Sequence, residues 1–132
     1  MTAPKTGARL TETEQVQQIV AKTAKDRIGD AKARKAVPLC TGVIDYFPDA
    51  LLALAELSRI GNDQHNPSQT LHWARGKSGD ECDALMRHLI DRGTIDTDGV
   101  RHSTKLAWRA LANLQKELEA ANPSLGISRG SK

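Results

Sequence analysis

The chain has 132 residues with 19 Lys or Arg against 16 Asp or Glu, enough for one modest domain with an arm at either end. One Phe, one Tyr and two Trp accompany an apolar set dominated by Ala and Leu, a helix-forming composition poor in the residues that strands favour. No apolar run approaches the roughly 18 residues of a membrane span, no signal-type segment opens the chain, and Cys40 and Cys82 form neither a CxxC pair nor a disulfide framework; a cytoplasmic protein without a membrane role is expected.

The net charge of +3 is unevenly spread. Residues 1–36 carry eight basic against four acidic groups, residues 37–121 nine against twelve, and residues 122–132 two against none. A phosphate-backbone surface concentrates its cations on the folded face that docks. Here the expected folded part is acidic, so nucleic acid is not the expected partner, and a basic N-terminal arm is the one route to it.

Within residues 1–36, Thr11 and Glu14 have the spacing of a capping box with Leu10 in the staple position. Val16, Ile19, Val20, Ala24 and Ile28 recur at helical spacing, predicting one amphipathic helix that ends near Gly29. Asp30 to Ala36 is a charged connection or a continuation of that helix. Pro48 suits a helix start that Asp45 can cap, and Leu51, Leu54, Leu57 and Ile60 predict a helix over 48–60 closed by Gly61. Glu56 interrupts this Ala- and Leu-rich helix, which makes it a candidate metal ligand; a surface position is the plain alternative.

A polar stretch from Asn62 to Asp80 then holds His65, His72, Trp73, Arg75 and Lys77. Long irregular loops in small domains are more often functional than idle. Trp73 offers a stacking plane or a core anchor, and Arg75 and Lys77 offer cations for phosphates. Ser78 or Asp80 can cap the next helix, with Leu85, Met86, Leu89 and Ile90 expected inward and His88 projecting with Asp91. The final helix is expected from Val100 to about Ala121, its seam formed by Val100, Thr104, Ala107, Leu111, Leu114 and Leu118. Residues 122–132 are expected to form a flexible tail.

Arg87 to His102, RHLIDRGTIDTDGVRH, is the densest chemistry in the chain. Asp91, Asp96, Asp98, His88 and His102 exceed what a turn needs, because clustered like charges are costly unless a cation offsets them. The DxDG turn is not an EF-hand loop, since the twelfth position from Asp96 is Ala107. No HExxH or other compact zinc motif supports a zinc hydrolase built from His88 and His102.

The order of PDALLALAELSRIG, His72-Trp73, Arg87-His88-Leu89, Asp96-Thr97-Asp98-Gly99 and His102 leading into Lys105-Leu106-Ala107-Trp108 resembles the dATP/dGTP diphosphohydrolase N-terminal domain family, bacterial and phage proteins akin in function to MazG-like pyrophosphatases. The resemblance spans roughly residues 38–120. The chain departs from it at Gln64-His65, where a Lys-Tyr pair is expected, and at Lys105, where a second His is common; the ExxE and ExxD pairs of MazG proteins are missing. The resemblance implies hydrolysis of a (deoxy)purine nucleoside triphosphate to monophosphate and pyrophosphate with Mg2+ or Mn2+. On that reading Glu56, Asp91, Asp96 and Asp98 bind metal, Trp73, Arg75, Lys77, Arg87 and Lys105 bind substrate, and His88 and His102 are catalytic. The expected fold is all-α, a small bundle of about four helices that forms a homo-oligomer. A noncatalytic nucleotide- or protein-binding module is the alternative function.

Overall fold

The computed structural model describes Thr11, Glu12 and residues 22–132, and the chain divides into two compact units, Met1–Val37 and Pro38–Lys132. Five α-helices and no strand are found among the described residues, so the all-α expectation holds.

In the first unit, α1 spans Ala24–Ile28 and α2 spans Ala31–Lys35. Thr23 stands in extended backbone and forms a capping box with Asp26: the Thr23 hydroxyl accepts from the Asp26 N–H, and the Asp26 carboxylate accepts from the Thr23 N–H at 2.7 Å. One continuous helix up to Gly29 is therefore corrected, because Lys22 and Thr23 lie outside helical backbone and Thr23 caps a helix that begins only at Ala24. Val16, Ile19 and Val20 and the Thr11–Glu14 box fall on or reach into positions outside the described residues. Asp30 caps α2 through the Ala33 N–H at 2.9 Å, so the charged run after Gly29 is a helix of its own.

The second unit opens with a π-helical turn, Cys40–Ile44, followed by α3 (Pro48–His65), α4 (Glu81–Ile90) and α5 (His102–Ala121). Pro48 sits in the first turn of α3 as expected, without a side-chain cap. The helix runs through Gly61 to His65, four residues beyond the expected stop. Gly61 is absent from the glycines with positive φ, so it takes an ordinary helical place, and Asn62 and Asn66 close the helix instead: the Asn66 N–H donates to the Asn62 carbonyl at 2.8 Å.

α4 and α5 pair most extensively, and α3 lies against α5. The turn joining α4 to α5 needs left-handed backbone at Gly93 (φ 85°) and Gly99 (φ 83°). An isolated antiparallel bridge between Ile95 and Arg101, with the Asp96 N–H donating to the Val100 carbonyl at 2.9 Å, closes it. Ala84, Val100 and Ala112 are the buried apolar residues among those described. The small side chains of Ala84 on α4 and Ala112 on α5 let helices approach closely.

The predicted seam of α5 is covered in its first half, Val100 buried and Thr104 and Ala107 partly so, and departs from the covered face in its second. Leu111, Leu114 and Leu118 are 51%, 49% and 52% exposed, while Lys105, Arg109, Lys116 and Glu119 turn toward the rest of the unit. α4 behaves alike: of its four expected inward residues Leu85 and Leu89 are partly covered and Met86 and Ile90 exposed, while Glu81, Ala84 and His88 face inward. Long-range ion pairs account for this choice. Lys116 Nζ donates to the buried Glu81 at 2.9 Å and to the Ser78 carbonyl at 3.2 Å, which fixes α5 against the start of α4.

Residues 122–132 are docked rather than loose. The Trp73 N–H donates to the Gly130 carbonyl at 2.7 Å, the Lys132 N–H to the Trp73 carbonyl at 3.0 Å, and the Ser128 N–H to the Glu119 carboxylate at 2.6 Å. No single helix among the described residues is long and apolar enough to cross a membrane.

Candidate functional site

The α4–α5 turn places two carboxylates around one ammonium. Lys105 Nζ donates to Asp96 Oδ2 at 2.6 Å and to Asp98 Oδ2 at 2.7 Å. The same aspartates shape the turn, since the Thr97 N–H donates to Asp96 Oδ1 at 2.7 Å and the Val100 N–H to Asp98 Oδ1 at 3.1 Å. The bond from Lys105, helped by the Thr97 N–H, lowers the Asp96 carboxyl to about 2, and Asp98 is lowered for the same kind of reason. Burial acts to lower the Lys105 ammonium, but the two carboxylates outweigh it and its pKa is raised.

Two imidazoles stand beside this trio. His88, from α4, and His102, at the start of α5, bring their Nδ1 atoms to 2.9 Å, one imidazole donating and the other accepting. His102 Nε2 lies 3.9 Å from Asp96 Oδ1. Burial, then the neighbouring charges of His102, Lys105 and Arg109, lowers the His88 pKa and keeps that ring neutral near pH 7. One donor atom each from His88, Asp96 and His102 lie within 4.8 Å of one another, and all three residues are partly buried. Two imidazole nitrogens and one carboxylate oxygen are a chemically suitable set for a divalent ion.

His88, Asp98 and Lys105 reach into a cleft of about 660 Å³ between α3, α5 and the loop that joins α3 to α4. This volume lies within the range of small-molecule sites, about 300–1,000 Å³. Trp73 and Trp108 supply its aromatic surface. Its cations differ in what they already hold. Lys77 donates to the His65 carbonyl at 2.7 Å and to Asn66 Oδ1 at 2.9 Å, and Arg109 donates to the Ser78 hydroxyl. These partners are neutral, so the charges of Lys77 and Arg109 are uncompensated by them, whereas Lys105 is bound by two anions.

The profile of the family described as dATP/dGTP diphosphohydrolase, N-terminal, matches residues 23–123. The chain belongs to that family. No curated protein and no solved structure matches it.

Seen in this dATP/dGTP diphosphohydrolase-family domain, the sequence candidates separate into two groups. Asp96, Asp98, His88, His102 and Lys105 come together, and Trp73 and Lys77 line the cleft they adjoin. The rest stand elsewhere. Glu56 has a side chain 67% exposed and pairs with Arg59 at 3.8 Å on the surface of α3. Asp91 is exposed at the C-terminal end of α4, where its carbonyl accepts from the Thr94 hydroxyl at 2.7 Å, and His88 turns toward His102 instead of toward it. Arg87 pairs with Asp80 at 3.0 Å, both well exposed. Arg75 forms a two-pronged ion pair with Glu119 and lies over Trp73 at 4.7 Å.

Arg109, Trp108, Asn62, Asn66 and Glu119 carry weight that sequence patterning did not assign. For Arg109 a signal existed: His102, Lys105 and Arg109 share one face of α5 at three- and four-residue steps. Asn62 and Asn66 are buried, with Asn62 Nδ2 donating to the Gln69 carbonyl at 3.1 Å, and they hold the cleft-lining loop against α3.

Proposed function

We propose that this domain hydrolyses a purine (deoxy)nucleoside triphosphate to monophosphate and pyrophosphate, with a divalent ion held by His88, Asp96 and His102. The observation that carries this reading is the cleft itself, where an imidazole–carboxylate donor set adjoins two cations, Lys77 and Arg109, whose hydrogen-bond partners are neutral. Membership in a nucleotide diphosphohydrolase family supports the substrate class. Lys77 and Arg109 bind phosphate oxygens, Arg109 with the forked geometry suited to two of them. Trp73 and Trp108 cover the base. A bound divalent ion supplies Lewis acidity to the phosphate chain. Asp98 and Lys105 hold Asp96 in place, and the loop from Asn66 to Lys77 limits water at the base end.

The test is pyrophosphate release from a panel of dNTPs and NTPs, with several divalent ions and with chelator. Metal-dependent release with a purine preference is expected. Arg109→Ala is expected to raise KM by about tenfold or more, the loss of one charged contact. Nucleotide binding without release by the metal-loaded wild type would overturn the catalytic reading in favour of a binding module.

We also propose a homo-oligomer, supported by the half-exposed Leu111, Leu114 and Leu118 at seam spacing. Sedimentation of the wild type and of Leu114→Glu checks it: the wild type is expected above monomer mass, and the variant is expected to fall toward it.

A further inference from the structure

We propose that this site selects a first-row transition ion over Mg2+, and that Lys105 is the residue that sets the preference; this rests on the metal-dependent reading above. The preference follows from which donor atoms remain open. Each oxygen of Asp96 and Asp98 already accepts a hydrogen bond: Asp96 Oδ2 and Asp98 Oδ2 from Lys105, Asp96 Oδ1 from Thr97, and Asp98 Oδ1 from Val100. Mg2+ requires a nearly ideal octahedral set of oxygens and surrenders its water reluctantly. To draw several oxygens from Asp96 and Asp98 it would compete with Lys105, whose side chain is only 17% exposed, for the carboxylate charge and leave that ammonium poorly paired.

The imidazoles face no such competitor. The His88 and His102 Nδ1 atoms share one proton between them at 2.9 Å, and a divalent ion would replace that proton and take one Asp96 oxygen as its carboxylate donor. Nitrogen donors favour Co2+, Ni2+ and Zn2+, with Mn2+ the weakest of the first-row series. Lys105 therefore acts as an internal cation that offsets the charge of Asp96 and Asp98 and leaves two imidazole nitrogens and one Asp96 oxygen as the donors for the metal.

The experiment is calorimetric titration of the full chain, stripped of metal and without nucleotide, with Mg2+, Mn2+, Co2+ and Ni2+. Co2+ and Ni2+ are expected to bind on the order of 100-fold more tightly than Mg2+. The visible absorption of bound Co2+ and the imidazole nitrogen shifts of the wild type are expected to report nitrogen ligation, and His102→Ala, with its helicity checked by circular dichroism, is expected to lose the Co2+ band. Lys105→Gln frees the carboxylates and is expected to narrow the Co2+ to Mg2+ affinity ratio by about tenfold or more. Equal affinity for Mg2+ and Co2+, binding of no ion, or a ratio unchanged in Lys105→Gln would overturn the proposal. A chain that binds Co2+ as described yet releases no pyrophosphate would sink the functional reading and leave this assignment standing.

Discussion

Two ionic clusters stand on the same helix, and they are built on opposite rules. At one end of α5, Glu119 accepts from Arg75, Gln115 and the Ser128 N–H, while Arg75 also reaches Ser131 and covers Trp73. One cation meets one anion, and both side chains are largely buried, 17% and 10% exposed. At the other end one cation, Lys105, meets two anions with two imidazoles beside them. The first cluster is electrically closed and ties the C-terminal residues to the Trp73 loop. The second is one positive charge short, and it borders the cleft. Charge balance thus separates a structural ion pair from a site that calls for a ligand.

Breaking the closed cluster is expected to cost the most. Glu119→Ala leaves the Arg75 guanidinium buried without its anion, and a loss of about 3 kcal/mol is expected, the lower end for a broken buried pair. Urea denaturation measures it. Lys105→Met leaves Asp96 and Asp98 without their cation, but those carboxylates are 26% and 24% exposed and reach water, so it is expected to cost less than Glu119→Ala in the same assay; the reverse order would undo the comparison.

Acid sharpens it further. Arg75, with Gln115 and the Ser128 N–H helping, holds the Glu119 carboxyl at about 2 against an ordinary 4.5. The folded value lies below the unfolded one, so this contribution is complete above about pH 4.5 and fades as the pH falls toward 2. Thermal melts across that window are expected to show a shallower acid loss in Glu119→Gln than in the wild type.

Smaller effects mark the edges of the cleft and of the site. Gly61 sits in the helix interior, where an alanine methyl would meet no atom within 4 Å, and Gly61→Ala is expected to stabilise α3 by about 0.5–1 kcal/mol. Because Gly61 lines the cleft, nucleotide affinity measured on the same variant shows whether that opening is used. Glu56→Ala is expected to change stability by less than about 0.5 kcal/mol and to leave turnover unchanged, since its partner and its surroundings are solvent-exposed. A large loss of turnover would return Glu56 to the site.

Sequence alone determined the all-α class, the start of α3 at Pro48, and a turn around Gly93 and Gly99 that carries the densest chemistry. These are local matters: propensity, proline geometry and left-handed glycine act within a few residues. It also determined that Asp96, Asp98, His88 and His102 lie within one helix–turn–helix segment. Tertiary structure alone decided which of the charged residues meet. Lys105 reaches Asp96 and Asp98, Arg75 reaches Glu119 across 44 positions, and Glu56 and Asp91 turn outward. It decided as well that α5 covers its Lys105–Arg109–Lys116–Glu119 face and leaves Leu111, Leu114 and Leu118 half exposed. Helical periodicity states what each face contains; which face is covered depends on the ion pairs and hydrogen bonds that distant parts of the chain offer to it.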